Sequence, residues 1–211
     1  MTSIKICGLS TPETVQTAIN AGADFLGFVF YPPSPRHVSP KQAADLIKDL
    51  PPHVRSVGLF VDPTDEDIEN ALKHPALNMI QLHGSETPER LKEIQTRFNL
   101  PLIKAIRVGA AADLIGIEEF EPHCDWLLFD AKPKNADLPG GTGHTFDWSI
   151  LDNLKIEKPW MLSGGLTVKN LSEALLHLKP PAVDVSSGVE STRGTKDADK
   201  IIEFIQTVKK N

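Results

Sequence analysis

The chain has 211 residues and a formal net charge of −6, a size that favours one domain over residues 1–211. The acidic balance, with no cluster of Lys and Arg beyond Lys209-Lys210, argues against a nucleic-acid partner. No apolar run approaches the roughly 20 residues that cross a membrane, and residues 1–5 lack the apolar core of a signal peptide. We therefore expect a cytoplasmic protein that does not contact a membrane.

Eight short, apolar runs rich in β-branched residues recur along the chain and predict eight strands. They lie at residues 4–7, 25–30, 57–61, 79–82, 102–106, 126–129, 160–162 and 182–185. Amphipathic spacing between the strands predicts helices, most clearly at residues 15–22, 43–50 and 198–205. Capping hydroxyls before Pro or acidic residues mark three helix starts, at Thr11, Ser39 and Thr64.

The sixth unit is the weakest, because residues 131–144 are rich in Pro and Gly and only residues 147–154 suit a short helix. Alternation of about eight strands with helices predicts an α/β fold with a parallel sheet. Eight such units close naturally into a (β/α)8 barrel, a TIM barrel, as a single domain. A doubly wound open sheet is the alternative.

In a (β/α)8 barrel the carboxyl end of every strand faces the same mouth, so residues there converge although they are distant in sequence. The predicted strand ends bring together Cys7, Arg36, Asp62, His83, Arg107, Asp130, Gly164, Gly165 and Ser186-Ser187-Gly188. The ends of the seventh and eighth strands, Gly164-Gly165 and Ser186-Ser187-Gly188, supply glycines and small hydroxyl side chains. Free backbone N–H groups at such ends bind anions, so we predict a phosphate cup at Gly164, Gly165, Ser186, Ser187 and Gly188.

Lys5 and Cys7 share one face of the first strand, and we expect both to point into the barrel. A lone cysteine is often a small buried hydrophobe, but a thiol at the mouth can ionise and act as a base. A buried lysine needs a partner, and Asp184 has the matching parity on the eighth strand. Cys124 begins the sixth strand at the opposite end, where we predict inert packing beyond disulfide reach of Cys7.

Four further residues are candidates for the site. Asp130 directly follows an apolar strand and suits a general acid, with an N-cap or loop aspartate as the alternative. Arg36, in a Pro-rich loop, can grip a substrate carboxylate or lie on the surface. His83 has no second ligand at metal spacing, so we predict a substrate-side or packing residue and no metal site. His144 lies in a glycine-rich loop that can close over a ligand.

Motifs along the whole chain resemble one family, the phosphoribosylanthranilate isomerases of tryptophan biosynthesis. They are Lys5-Ile6-Cys7-Gly8, Ser34-Pro35-Arg36, Val57-Gly58-Leu59-Phe60-Val61, Gln81-Leu82-His83-Gly84, the loop from Gly140 to Trp148, Leu162-Ser163-Gly164-Gly165-Leu166 and Val183-Asp184-Val185-Ser186-Ser187-Gly188-Val189-Glu190. The family often has Lys or Arg at the position of His144.

The resemblance implies a (β/α)8 barrel without a cofactor that performs an Amadori rearrangement of N-(5'-phosphoribosyl)anthranilate. It implies a cysteine base at Cys7, an aspartate acid at Asp130 and an arginine on the anthranilate carboxylate at Arg36. We add His83 and Asp184 to the predicted substrate-binding residues. The expected partner is this phosphorylated small molecule, and the chain is expected to be a monomer or a homodimer.

Two other functions fit parts of the pattern. The histidine-pathway isomerase performs the same rearrangement, but with a carboxylate base and a second phosphate cup. Here the first strand ends in Cys7, and the fourth strand end, His83-Gly84-Ser85-Glu86, is a poor second cup. A barrel that binds a sugar phosphate without turnover is the alternative from another class, because a binder and an enzyme share pocket residues.

Overall fold

Eight parallel strands close into a barrel in which each strand pairs with its neighbours in chain order and β8 pairs with β1. The computed structural model describes residues 1–74, 77–132, 145–152 and 154–211. The barrel strands are β1 Ser3–Cys7, β2 Phe25–Val29, β3 Arg55–Phe60, β4 Met79–Leu82, β5 Leu102–Val108, β6 Trp126–Ala131, β7 Trp160–Leu162 and β8 Ala182–Val185. This closure confirms the predicted (β/α)8 barrel and excludes the doubly wound sheet.

In the part of the chain that the structure describes, six α-helices surround the barrel: α1 Pro12–Ala21, α2 Pro40–Ile47, α3 Asp65–Leu72, α4 Pro88–Phe98, α5 Val168–Leu178 and α6 Ala198–Lys210. The three predicted capping hydroxyls are confirmed, because each accepts a backbone N–H of the first helical turn. Of the helices that the structure describes, none combines the length and apolarity needed to cross a membrane.

Two units depart from the strand and α-helix repeat. The predicted short helix of the sixth unit is a 3₁₀ helix, Trp148–Leu151. The fifth unit also lacks an α-helix and has three short 3₁₀ helices, Ala111–Leu114, Ile117–Glu119 and Glu121–His123. Gly116, with a left-handed φ of +82°, and Pro122 interrupt this segment, so a continuous helix cannot form.

The strands present alternate residues to two cores. One core lies between the sheet and the helices, and the other fills the barrel with Phe25, Val57, Met79, Ile103, Ala105, Leu128, Met161 and Ala182. Toward the carboxyl ends of the strands, the positions that face the barrel interior are polar, and the residues of the site occupy them. The strands β5 and β6 run two residues beyond the predicted ends, so Asp130 lies within β6 and faces inward beside the mouth.

A small antiparallel hairpin follows the barrel, formed by β9 Glu190–Thr192 and β10 Thr195–Lys196. It lies between β8 and α6 and is separate from the barrel sheet. The last strand predicted from the sequence ends at residue 185, so the hairpin was not among the predicted elements. Through this hairpin the chain after β8 reaches back to the loop that follows β2, because Glu190 accepts hydrogen bonds from Arg36.

Candidate active site

A cavity opens at the carboxyl ends of the strands, where small-molecule sites of (β/α)8 barrels lie. The lining residues are Cys7, Val29, Tyr31, Ser34, Arg36, Leu59, Val61, His83, Asp130, Ser163, Asp184 and Ser186. A second, smaller hollow adjoins it and is formed by the ends of β7 and β8. Asp130, Ser163, Asp184 and Ser186 line both, so the two spaces form one continuous site.

Lys5 and Asp184 form a buried ion pair under the cavity. The Lys5 side chain has no exposed surface, and its Nζ donates to Oδ1 of Asp184 at 2.7 Å. The other carboxylate oxygen, Oδ2, accepts from the Ser163 hydroxyl at 3.1 Å. This confirms the partner that strand parity predicted for Lys5. Burial works against the ammonium, but Asp184 more than compensates and the pKa of Lys5 is raised.

Cys7 lies directly above this pair. A Cβ on Gly27 of the next strand would lie 2.9 Å from the Cys7 Sγ and 3.2 Å from the Lys5 Nζ, so the thiol and the ammonium are neighbours. Burial raises the pKa of the Cys7 thiol, and the positive charge of Lys5 opposes that rise. Burial and Lys5 thus act on the thiol in opposite directions, and Lys5 is the nearby cation that favours its ionisation.

Asp130 and His83 meet on the opposite side of the mouth. Nε2 of His83 lies 3.0 Å from Oδ2 of Asp130, and the Gln81 amide nitrogen lies 3.0 Å from Nδ1 of the same ring. With the amide donating to Nδ1, the ring hydrogen is on Nε2 and is donated to Asp130. Arg107 donates to the backbone oxygen of His83 at 2.8 Å and supports this end of β4.

Arg36 is buried and forms a fork with Glu190. Its Nε donates to Oε1 at 2.7 Å and its Nη2 donates to Oε2 at 2.9 Å. Lys196 donates to the same Oε1 at 2.8 Å, so two basic side chains share one carboxylate. Burial disfavours the carboxylate, but the hydrogen bonds from Arg36 and Lys196 prevail and lower the pKa of Glu190 to about 2.

The two glycine-rich strand ends lie side by side, as predicted, and form the smaller hollow. Gly164 and Gly165 both have left-handed φ values, +86° and +62°. A Cβ on Gly164 would lie 2.4 Å from the Ala131 nitrogen, and one on Gly188 would lie 1.9 Å from the Leu166 oxygen. In the described part of the chain the N–H groups of Gly164 and Gly165 have no protein acceptor, so they are available to an anion.

Other predicted residues lie outside this constellation. Cys124 is buried at the far end of β6, and burial raises its pKa to about 12, which suits inert packing. Both cysteines are free thiols. Asp62 caps the neighbouring loop by accepting from the Ser85 N–H at 2.6 Å. His144 lies outside the described residues.

Sequence reasoning missed three buried polar residues of the site, Glu190, Lys196 and Ser163. Glu190 and Ser163 stood in the family-like motifs without a role, and Lys196 carried no signal at all. Glu190 could have been sought as the partner of Arg36, because a buried arginine needs a carboxylate. Within the described ranges no group of three or more His, Cys, Asp or Glu side chains is arranged to hold a metal ion.

Comparison with known proteins gives a consistent result. A family model described as N-(5'-phosphoribosyl)anthranilate (PRA) isomerase matches residues 4–207. The N-(5'-phosphoribosyl)anthranilate isomerase of Paramagnetospirillum magneticum is 50% identical to this chain over 207 residues, which cover 98% of this chain and 96% of that protein.

Solved structures agree with the sequence match. A phosphoribosyl anthranilate isomerase in complex with reduced 1-(o-carboxyphenylamino)-1-deoxyribulose 5-phosphate superposes with a TM-score of 0.85 at 36% identity, over 100% of both chains. Monomers of the dimeric isomerase of Thermotoga maritima superpose with a TM-score of 0.84 at 36% identity, also over 100% of both chains. The chain is thus an enzyme of the N-(5'-phosphoribosyl)anthranilate isomerase family.

Proposed function

We propose that this protein converts N-(5'-phosphoribosyl)anthranilate to 1-(2-carboxyphenylamino)-1-deoxyribulose 5-phosphate in tryptophan biosynthesis, with Cys7 as general base and Asp130 as general acid. The observation that carries this proposal is that Cys7 and Asp130 line one cavity, between Arg36 and the glycine-rich hollow. A carboxylate, a reacting sugar and a phosphate thus each have a chemically matched neighbour.

The anthranilate end suits the cavity beside β2 and β3. Val29, Tyr31, Leu59 and Val61 form an apolar wall next to Cys7, which favours an aromatic ring. Arg36 lies in the same cavity, and it shares the single carboxylate of Glu190 with Lys196. This arrangement leaves positive charge to be balanced by the substrate carboxylate.

The phosphate end suits the hollow at β7 and β8. The backbone N–H groups of Gly164 and Gly165 are available there, and Ser187 and Gly188 face them from the next strand end. Phosphate binding at this point, with the carboxylate held at Arg36, fixes both ends of the sugar. Binding energy from these remote groups orients the reacting carbons between acid and base.

The reaction is a proton relocation that leaves the formula of the substrate unchanged. Asp130 gives its proton to the ribose ring oxygen, the bond from C1 to that oxygen breaks, and the anthranilate nitrogen lone pair forms an iminium ion. The Cys7 thiolate then removes the proton on C2, which the iminium has made acidic, and an enolamine results. Uptake of a proton at C1 and loss of the C2 hydroxyl proton give the ketone and restore both side chains.

Lys5 and His83 support the two catalytic groups in this scheme. Lys5 is the cation beside Cys7 and stabilises its thiolate form. His83 occupies one carboxyl oxygen of Asp130, which leaves Oδ1 to exchange a proton with the substrate. Asp184 holds Lys5 and also lines both hollows, where it can accept a sugar hydroxyl.

The test is to add the purified protein to N-(5'-phosphoribosyl)anthranilate and to follow the loss of its fluorescence. The proposal predicts turnover without added metal or nucleotide, and an unchanged signal would favour a sugar-phosphate binder without turnover. The histidine-pathway reaction is disfavoured by the ends of β3 and β4. There the Asp62 and Gly84 N–H groups donate to Glu86 at 2.9 and 3.0 Å and are not available to a second phosphate.

The cellular setting follows from the same proposal. Two free, buried cysteines suit the reducing cytoplasm, where we place the enzyme. A partner other than its small-molecule substrate is not needed for the chemistry, because all the named groups come from one chain. A monomer and a homodimer both satisfy this requirement.

A further inference from the structure

The carboxylate of Glu190 is completely engaged within the protein. Oε1 accepts from Arg36 Nε at 2.7 Å and Lys196 Nζ at 2.8 Å, and Oε2 accepts from Arg36 Nη2 at 2.9 Å and the Gly194 N–H at 3.0 Å. A carboxylate offers about four acceptor sites, so none remains for a ligand. Any effect of Glu190 on a substrate must therefore act through Arg36 or Lys196.

These contacts determine which edge of Arg36 faces the cavity. The guanidinium has its donors in a rigid, planar fork, and Glu190 occupies the edge formed by Nε and Nη2. The edge formed by Nη1 and Nη2 remains for a second planar anion. Because Arg36 lines the cavity, that edge can bind one carboxylate with two parallel hydrogen bonds.

Close packing holds the rest of the arginine. A Cβ on Gly8 would lie 2.6 Å from Cδ of Arg36, so the end of β1 supports the arginine stem. At the hairpin tip, a Cβ on Gly194 would lie 3.0 Å from the Pro35 oxygen. The hairpin and the loop before Arg36 are therefore in direct contact, so the arginine is held at its stem by Gly8 and at its guanidinium by Glu190.

Lys196 connects the same carboxylate to the glycine-rich hollow. Its Nζ donates to the Ser186 backbone oxygen at 2.9 Å and lies 3.1 Å from the Ser186 hydroxyl. The hairpin β9–β10 thus contacts the residues proposed for the substrate carboxylate and for the phosphate. A single element sets the separation of the two anion sites.

We propose that Glu190 is a positioning residue that directs Arg36 toward the ortho carboxylate of the substrate and makes the site select arylamines that carry this group. The inference rests on the proposed function, because it takes Arg36 to bind that carboxylate. Replacement by Gln tests it, since an amide has the same shape but presents N–H groups to Arg36 or Lys196 in place of one acceptor oxygen.

The experiment compares the affinity of two ligands for the wild type and for Glu190→Gln. One ligand is reduced 1-(o-carboxyphenylamino)-1-deoxyribulose 5-phosphate, and the other is the same molecule without the carboxyl group. In Glu190→Gln we expect affinity for the first ligand to fall about 10- to 10²-fold. Affinity for the second should change by less than about threefold. Glu203→Gln, an exposed glutamate on α6, is the control and should leave both affinities unchanged.

An unchanged ratio of the two affinities in folded Glu190→Gln would overturn the inference. Should Glu190→Gln not show cooperative thermal unfolding, Glu190→Asp replaces it, because Asp keeps the charge but is too short to fill the fork. The ratio is expected to fall in that variant as well, and an unchanged ratio again overturns the inference. Failure of the proposed function is a separate result, namely a wild-type protein that does not turn over N-(5'-phosphoribosyl)anthranilate.

Discussion

Nε2 of His83 lies 3.0 Å from Oδ2 of Asp130, and both side chains are buried at the edge of the cavity. The contact joins the ends of β4 and β6, which are not neighbours in the barrel. It fixes the rotation of the Asp130 carboxyl group, so that Oδ1 is the oxygen available for proton transfer. His83 is thus a positioning residue for the proposed acid.

Replacement of His83 by Gln should lower kcat roughly 10- to 10²-fold because the acid loses its orientation. KM should change little, since the carboxylate and phosphate contacts remain. His53→Gln, an exposed histidine before β3, is the matched control. Steady-state kinetics check this prediction, and a raised KM with an unchanged kcat would show that His83 binds substrate directly.

Lys5→Met should make Cys7 harder to ionise. Lys5, Asp184 and Lys196 are the charged groups that act on Cys7, and Lys5 is the nearest cation. Burial already raises the pKa of the thiol, and loss of Lys5 removes a charge that opposes the rise. Alkylation of Cys7 by iodoacetamide should therefore reach a given rate only at a higher pH than in the wild type.

The double variant Lys5→Met, Asp184→Asn keeps this test valid, because it does not leave Asp184 as an unpaired buried charge. Cys124 is the internal reference, since its pKa of about 12 keeps it unreactive. The alkylated residue is identified by peptide mass analysis. An alkylation profile identical to that of the wild type in both variants would remove Lys5 from the activation of Cys7.

Gly164→Ala should weaken phosphate binding. The new Cβ would lie 2.4 Å from the Ala131 nitrogen, so the loop must move and carry its N–H groups with it. Competitive inhibition by inorganic phosphate measures the effect, and we expect Ki to rise about tenfold or more.

The control variant is Gly116→Ala. Gly116 has a similar φ, +82°, but its added Cβ would have no contact closer than 3.9 Å. It should cost a comparable strain of about 1 kcal/mol without changing Ki. Equal Ki values in the two variants would place the phosphate elsewhere.

Glu190 should contribute a pH-dependent part of the folding stability. Its pKa is lowered from 4.5 to about 2 in the folded protein, so its stabilising effect is present above pH 4.5 and is lost as the pH falls toward 2. The difference in unfolding free energy between wild type and Glu190→Gln should shrink over this range, by on the order of 3 kcal/mol. Urea unfolding at several pH values measures it. A difference that stays constant from pH 6 to pH 2 would contradict the strength of the Arg36 and Lys196 contacts.

The barrel could be predicted from the sequence because each of its strands is a separate apolar run. The fifth unit could not, since residues 111–123 contain short 3₁₀ helices that have no periodic apolar pattern. Parity along β1 and β8 was sufficient to predict that Lys5 pairs with Asp184. Successive side chains of a strand point to opposite faces of the sheet, so pairs of inward-facing residues can be predicted from the sequence.

The hairpin and its contacts could not be predicted in this way. Glu190 and Arg36 are 154 residues apart in the chain, and no local pattern links them. The hairpin strands have three and two residues, too few to show alternation. A barrel places the carboxyl ends of its strands at one mouth, which was sufficient to predict that Cys7, Asp130 and the glycine-rich ends lie together. Lys196 follows the last barrel strand, so this rule did not predict its position.

The central claim is that Cys7 and Asp130 act on the transition state as base and acid. The most direct measurement determines kcat with N-(5'-phosphoribosyl)anthranilate, and affinity for reduced 1-(o-carboxyphenylamino)-1-deoxyribulose 5-phosphate, in Cys7→Ala and Asp130→Asn. We expect kcat to fall roughly 10²- to 10⁴-fold in each variant while the ligand still binds. Near wild-type turnover in Cys7→Ala would contradict the claim and leave Cys7 as a packing residue of the barrel mouth.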